Sequence, residues 1–306
     1  MINNVKIKTT DKYIKKMYTQ EKIVKTILQT FSAASILVTL GIVVTLFSET
    51  VSFFTEVSIF EFLFTTKWTP TLAPKHFGVI PLVIGTLMIA LMSSVISIPI
   101  GLGSAIYLSE FAPANVRKVV KPVLEILAGI PSIVYGFFAL NFITPFLRVV
   151  FNDVEVFNAM SAAIAVGIMT MPMVASLSED AMKAVPDAIR EGAYALGSTK
   201  FEVAVKVVLP AALSNIVSSF VLAISRAVGE TMIVAIAAGA NSNLTLNPLK
   251  SIQTMTGYMV NISLGDIAHG SVEYKTVFAV GFLLFIMTLF MNILARHIVA
   301  KYREEY

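Results

Sequence analysis

The chain has 306 residues, 56% of them hydrophobic and only 14% charged, with a mean hydropathy of +0.80. Soluble domains carry roughly a quarter charged residues, so this composition excludes an ordinary soluble domain and points to a protein that crosses a membrane several times. There is no cysteine, which excludes disulfides and thiolate metal sites. His76, His269 and His297 are too scattered for a metal site, and the formal charge of +4 is explained by placement rather than by nucleic acid.

Six apolar runs follow one another, at about 28–48, 79–107, 119–142, 159–178, 211–240 and 275–299. Each reaches or nearly reaches the roughly 20 residues that a spanning helix needs. Pro99 and Gly101 in the second run, and Gly129 and Pro131 in the third, are candidate kinks. Lysine and arginine alternate in density between the runs. Seventeen lie before the first, between the second and third, between the fourth and fifth, or after the sixth. The opposite side has five: Lys67, Lys75, Arg148, Lys250 and Lys275. The positive-inside rule therefore places both termini in the cytoplasm.

The first run lacks a small-residue cleavage site and reads as an uncleaved anchor. After it, 49–77 is rich in aromatics (Phe53, Phe54, Phe60, Phe62, Phe64, Trp68), which suits a helix in the headgroup layer, a plain tether being the alternative. The outer stretch 241–274 is polar and turn-rich, and its Asn261-Ile262-Ser263 matches a glycosylation acceptor too common to carry weight.

The inner stretch 184–213, "AVPDAIREGAYALGSTKFEVAVKVVLPAAL", reads as two short helices at a bend. Pro186 opens the first, Ile189, Ala193 and Leu196 share one face, and Gly197 stops it in the left-handed conformation. Thr199 and Glu202 make a capping box for the second. Gly192, Ala193 and Ala195 leave a surface that another protein can approach closely.

At this point the sequence resembles the permease subunits of binding-protein-dependent ABC importers. Their pattern E-A-A-x3-G-x9-I-x-L-P is matched by Glu191, Gly192, Ala193, Gly197, Val207, Leu209 and Pro210, with Gly192 replacing Ala and Val207 replacing Ile. The stretches "IPIGLGSAIYLSEFAP", "VLEILAGIPSIVYGFFAL" and "ISRAVGETMIVAIAAG" narrow the resemblance to phosphate-specific permeases, in particular the C-type subunit. It covers about residues 25–299. It implies an all-α membrane protein with six transmembrane helices in the type I (MetI-like) importer fold. The parts would be an anchor and outer segment at 1–77, a transmembrane domain at 78–299 with the coupling loop at 184–213, and a cytoplasmic tail at 300–306. It also implies a prokaryotic plasma membrane, an A-type second permease subunit, a dimer of ATP-binding subunits docked on the loop, and an extracytoplasmic phosphate-binding protein. No glycine here is followed by lysine. The chain thus has no P-loop, and ATP and Mg²⁺ would be bound by the partner ATPase. The chain itself would do no bond chemistry.

Arg226 and Glu230 interrupt the fifth run, where each charge costs roughly 2.5–3.5 kcal/mol on insertion scales. Four residues apart on a helix, they would share a face. Two readings stand: an ion pair that only packs the bundle, or a face lining a path, with the guanidinium fork suited to phosphate oxygens. The resemblance implies the second. On that reading Glu230 either holds Arg226 when the path is empty or takes the proton that phosphate carries. Ser225 and Thr231 add hydroxyls nearby, and Glu125 in the third run is a further carboxylate near the inner end. The rivals are a permease for another oxyanion (sulfate, molybdate or phosphonate) and an ion-coupled secondary transporter.

Overall fold

A computed structural model describes the backbone of residues 2–301 and the side chains of residues 13–297. Lys6, Lys8 and Lys12 of the basic N-terminus and the whole tail at 300–306 lie outside the described side chains. Among the described residues the regular elements are all helical, joined by turns and loops, with one isolated bridge between Trp68 and Phe77.

In chain order, α1 (Ile2–Phe54) is followed by the short α2 (Ile59–Phe64) and by α3 (Ile80–Ile106), which ends in a π-helical turn, Tyr107–Phe111. Pro99 lies inside α3 without ending it. The third run does not form one helix. α4 (Ala114–Gly129) stops at Ile130 and Pro131, whose backbones are extended, and α5 (Ser132–Phe138) restarts beyond them. Proline cannot donate to the helical ladder and forces the residue before it out of the helical region. The spanning segment is therefore Ser132–Val150, made of α5, a π-turn and α6 (Thr144–Val150). Glu125 belongs to α4, outside the span, and is exposed.

The chain continues with α7 (Ala159–Lys183), α8 (Asp187–Ala195), α9 (Lys200–Glu202), a π-turn over Val203–Val208, α10 (Leu209–Ala211) and α11 (Leu213–Val228). It closes with α12 (Met232–Ala237), α13 (Met255–Leu264) and α14 (Val272–Lys301). Five segments are long and apolar enough to span a membrane, and the pair Lys200–Ala211 and Leu213–Val228, bent by 72°, makes the sixth. The bend falls just after Pro210, whose missing N–H loosens the ladder there.

The most extensive helix pair is α3 on α7. α7 presents small residues, among them Ala159, Ala162, Ala163 and Gly167, all buried, and small residues let membrane helices approach closely. Gly101 on α3 shows how tight the contact is: a Cβ there would lie 2.8 Å from Val174 Cβ.

Most aromatic side chains of the 49–77 segment are buried within the protein rather than presented on its surface. Phe53, Phe62, Trp68 and Phe77 are buried in an outer core with Met255 and Tyr258 of α13 and Val280 of α14. Edge-to-face contacts link Phe53 to Phe62, Phe62 to Trp68 and Trp68 to Tyr258. Only Phe60 and Phe64 are widely exposed. Ion pairs of Lys75 with Glu273, and of Lys275 with Glu56 at 2.6 Å, clasp the same segment to α14. The stretch 241–274 is likewise not all turn: α13 buries Met255, Thr256, Gly257, Tyr258 and Ile262, and Thr254 caps its start through a bond from Gly257 N.

At the other end, Glu179 of α7 is fully buried. Arg117 Nε and Lys121 Nζ of α4 each lie 3.4 Å from its carboxylate, and Lys183 also pairs with it. Lys121 reaches Asp180 at 2.6 Å as well. That bond, and then the Glu179 charge, hold its ammonium above the ordinary lysine value against the opposing effect of burial.

Candidate functional site

The fifth run is broken where its charges lie. α11 ends at Val228, Gly229 is its C-cap, and α12 begins at Met232. Arg226 and Glu230 therefore do not sit on one helical face. Glu230 is buried, and its Oε1 accepts hydrogen bonds from the backbone N–H groups of Met232 (3.1 Å) and Ile233 (3.2 Å). Its side chain thus satisfies donors at the start of α12 that have no helical partner. The Thr256 hydroxyl donates to the Glu230 carbonyl at 2.7 Å, tying the break to α13.

Arg226, in the last turn of α11, is exposed and forms neither an ion pair nor a hydrogen bond among the described residues. The Tyr135 hydroxyl of α5 donates to the Leu127 carbonyl at 2.9 Å. Of the two readings, the mutual ion pair is not formed: Glu230 does not contact Arg226 in this structure. The physical reason is the break: two backbone donors lie closer to the carboxylate than the guanidinium does. Ser225 donates to Asn292 Oδ1 of α14 at 3.4 Å, and Thr231 to the Gly229 carbonyl at 3.0 Å, so both hydroxyls bond within the chain. A cavity of about 680 Å³ adjoins the break, lined by Gly229, Thr231, Met232, Thr256, Met259 and Leu284 among others.

The 184–213 loop forms the two helices at a bend that its sequence implies. Gly197 has φ +83°, and the N–H groups of Gly197 and Ser198 bond back to the Tyr194 and Ala193 carbonyls. This closes α8 in the left-handed manner that favours glycine. Thr199 Oγ1 accepts from Glu202 N at 3.3 Å while Thr199 N donates to Glu202 Oε2 at 3.0 Å, the reciprocal capping box. Two details differ from expectation. Pro186 occupies the N-cap of α8 rather than its first turn, and Leu196 is 89% exposed instead of sharing the inward face of Ile189 and Ala193. Leu196 lies at the C-cap, where the chain has already left the helical path.

Ile189, Ala193, Val207 and Leu209 pack on an inner core of Ala105, Met182, Val203 and Val208. Glu191, Gly192, Gly197 and Pro210 are exposed. A side chain at Gly192 or Gly197 would meet nothing within 4 Å. The motif thus divides into an inward half that fixes the loop and an outward half left open.

Arg190 carries no weight in the sequence reading beyond orientation, yet it is the charged group of α8 that turns inward. Its guanidinium donates to the carbonyls of Met182 (2.7 Å), in the last turn of α7, and Val185 (2.5 Å), just beyond it, and lies 3.3 Å from Glu110 Oε1 in the π-turn that follows α3. The available signal was its position: a cation just beyond a helix C-terminus, where free carbonyls attract one.

Residues 97–304 match the family described as binding-protein-dependent transport system inner membrane component. The chain is 34% identical over 245 residues to a probable ABC transporter permease protein, YqgH, of Bacillus subtilis, covering 80% of this chain and 79% of that one. It is 32% identical over 256 residues to the phosphate transport system permease protein PstC of Xylella fastidiosa, covering 77% of each. Among solved structures, an inward-facing MetNI methionine ABC transporter matches with a TM-score of 0.57 at 20% identity, over 74% of this chain and 97% of that one. A bacterial alginate ABC importer matches with a TM-score of 0.56 at 14% identity, over 74% and 80%. The fold is therefore that of the type I importer permeases, and the chain belongs to the family of binding-protein-dependent transport system inner membrane components.

Proposed function

We propose that the chain is the C-type permease subunit of an ATP-driven phosphate importer, forming half of a path that opens to one side of the membrane at a time. The observation that carries this reading is the unpartnered guanidinium of Arg226 at the break in the penultimate span. An unpaired arginine is costly in hydrocarbon, so the exposed face of α11 must meet something polar. Glu230 would repel an anion, but its carboxylate is turned into the start of α12, leaving the Arg226 fork for an oxyanion. The relatives named for phosphate transport supply the choice of anion.

The other half of the path would come from an A-type permease subunit, and phosphate from an extracytoplasmic binding protein. Two ATP-binding subunits, which hold ATP and Mg²⁺, would grip the open half of the loop: Glu191, Gly192, Gly197 and the exposed Leu196. Both termini would then be cytoplasmic, and this chain would be a transport subunit without catalysis of its own.

The test is uptake of labelled phosphate by cells producing the complete set of subunits, with excess unlabelled sulfate, molybdate or phosphonate as competitors. Phosphate uptake that these anions leave intact, and that collapses when cellular ATP is removed while the ion gradients are kept, is the expected result. Competition by sulfate would reassign the anion. Uptake that survives loss of ATP would point to an ion-coupled carrier.

A further inference from the structure

We infer that Arg190 is a positioning residue that turns the joint between α7 and α8 into a rigid strut, so that displacement of α8 is delivered to α3 and α7 together. This rests on the importer reading, in which α8 is the element that the ATPase moves.

The joint has the makings of a hinge. Only Ala184, Val185 and Pro186 separate α7 from α8. Pro186 cannot carry the ladder across, and the last carbonyls of α7 lose their helical donors. A push on α8 from outside would by default fold this linker rather than move the bundle.

Arg190 spans the linker from the far side. Met182 belongs to α7 and Val185 to the linker, and the one guanidinium bonds both carbonyls. It also pairs with Asp187 at 3.2 Å within its own helix, which fixes the side chain against α8. Its third direction is Glu110, in the π-turn that ends α3. The side chain of Arg190 is 14% exposed and that of Glu110 6%, so the pair is screened far less than a surface pair. Ser109 donates to the same Glu110 oxygen at 2.8 Å. The other side of that turn is held by Arg117, which bonds the Leu108 and Ser109 carbonyls and reaches Glu179 of α7.

Two arginines thus lock the inner end of α3 to the inner end of α7, and one of them extends the lock to α8. Because α3 and α7 are the most extensively packed pair and leave no room for a Cβ at Gly101, they move as one body. Lysine could not replace Arg190, since a point charge lacks the planar fork that serves two carbonyls and a carboxylate at once.

The test uses the complete importer in proteoliposomes with loaded binding protein, measuring phosphate moved and ATP hydrolysed in the same vesicles. Glu110→Gln removes the ion pair but leaves the carbonyl bonds of Arg190, so assembly should survive. It should lower the phosphate moved per ATP by about fivefold, within the range that network substitutions show, while crosslinking of α8 to the ATPase stays at the wild-type level. Arg190→Lys should lower the ratio further. A wild-type ratio in Glu110→Gln overturns the proposal even if Arg190 variants fail to assemble, and a loss of uptake strictly matched by a loss of hydrolysis overturns it too. If the wild-type complex moves sulfate and not phosphate, the anion assignment fails alone, and the ratio is read with sulfate.

Discussion

Arg226 and Glu230 are four residues apart in the sequence and do not touch: the carboxylate caps α12 through Met232 and Ile233, while the guanidinium has no hydrogen-bond or ion-pair partner among the described residues. A pair that existed only for mutual neutralisation would be restored by removing both charges. Here the two charges do separate work, so Arg226→Gln should abolish phosphate uptake in an assembled complex, and Arg226→Gln with Glu230→Gln should be no better. Uptake recovered in the double variant would show that the pair forms after all.

Glu230 has a local structural duty that can be measured apart from transport. Glu230→Gln keeps an acceptor for the two amides and should fold nearly as well as the wild type. Glu230→Ala leaves the start of α12 uncapped and should cost about 1 kcal/mol. Thermal unfolding of the purified complex checks the order; equal stability of the two variants would mean that the cap contributes little.

Gly197 sits at φ +83° with open space around it, so a substitution there acts through backbone strain and not through a clash. Gly197→Val should cost more than the roughly 1–2 kcal/mol usual for the left-handed region, misdirect the chain between α8 and α9, and depress uptake with normal membrane insertion. Gly197→Asn should be milder. Normal uptake by the valine variant at normal expression would reduce the loop to a connector.

Topology is open to labelling by an impermeant thiol reagent, because the chain has no cysteine of its own. Single cysteines at the exposed positions Leu72 and Leu264 should react in intact cells, and one at Leu196 should react only after the cells are opened. Labelling of Leu196→Cys in intact cells would reverse the orientation and remove the loop from the reach of a cytoplasmic ATPase.

Overpacking the α3–α7 contact gives a test of the bundle itself. Gly101→Ala places a Cβ 2.8 Å from Val174, and such insertions typically cost about 1–3 kcal/mol. The variant should unfold at lower temperature, and Val174→Ala in the same chain, which removes the Cγ1 that also lies at 2.8 Å, should recover part of the loss.

What was legible in the sequence was local. The bend at Gly197 and the box between Thr199 and Glu202 rest on chemistry within a few residues, and the structure has both. The number of spans was legible from apolar length, but the limits of the third were not. Val119, Val123 and Ile126 make α4 read as part of a membrane run, and hydropathy does not register that Pro131 ends the helix rather than bending it. The break at Gly229 was hidden for a related reason: nothing in "RAVGETMIV" shows that Glu230 will bond the next helix instead of Arg226. The outer aromatics have the composition of a membrane belt, and only their contacts with Tyr258 and Phe77 mark them as core. Arg190 escaped because a basic residue in an inner loop is already accounted for by orientation.

The acid near the C-terminal end of α7 has an uneven genetic consequence. Glu179 is a hub with three cationic spokes, Arg117, Lys121 and Lys183. Losing Lys121 or Lys183 leaves two cations to neutralise the carboxylate, so either single change should be tolerated and their effects should compound steeply when combined, whereas Arg117 also holds the Leu108 and Ser109 carbonyls and is less replaceable. Losing the hub has no such reserve, because three like charges are then left facing one another at a protein surface with no buried counter-charge. Selection acting on this corner would let the two lysines drift one at a time while holding the buried acid in place.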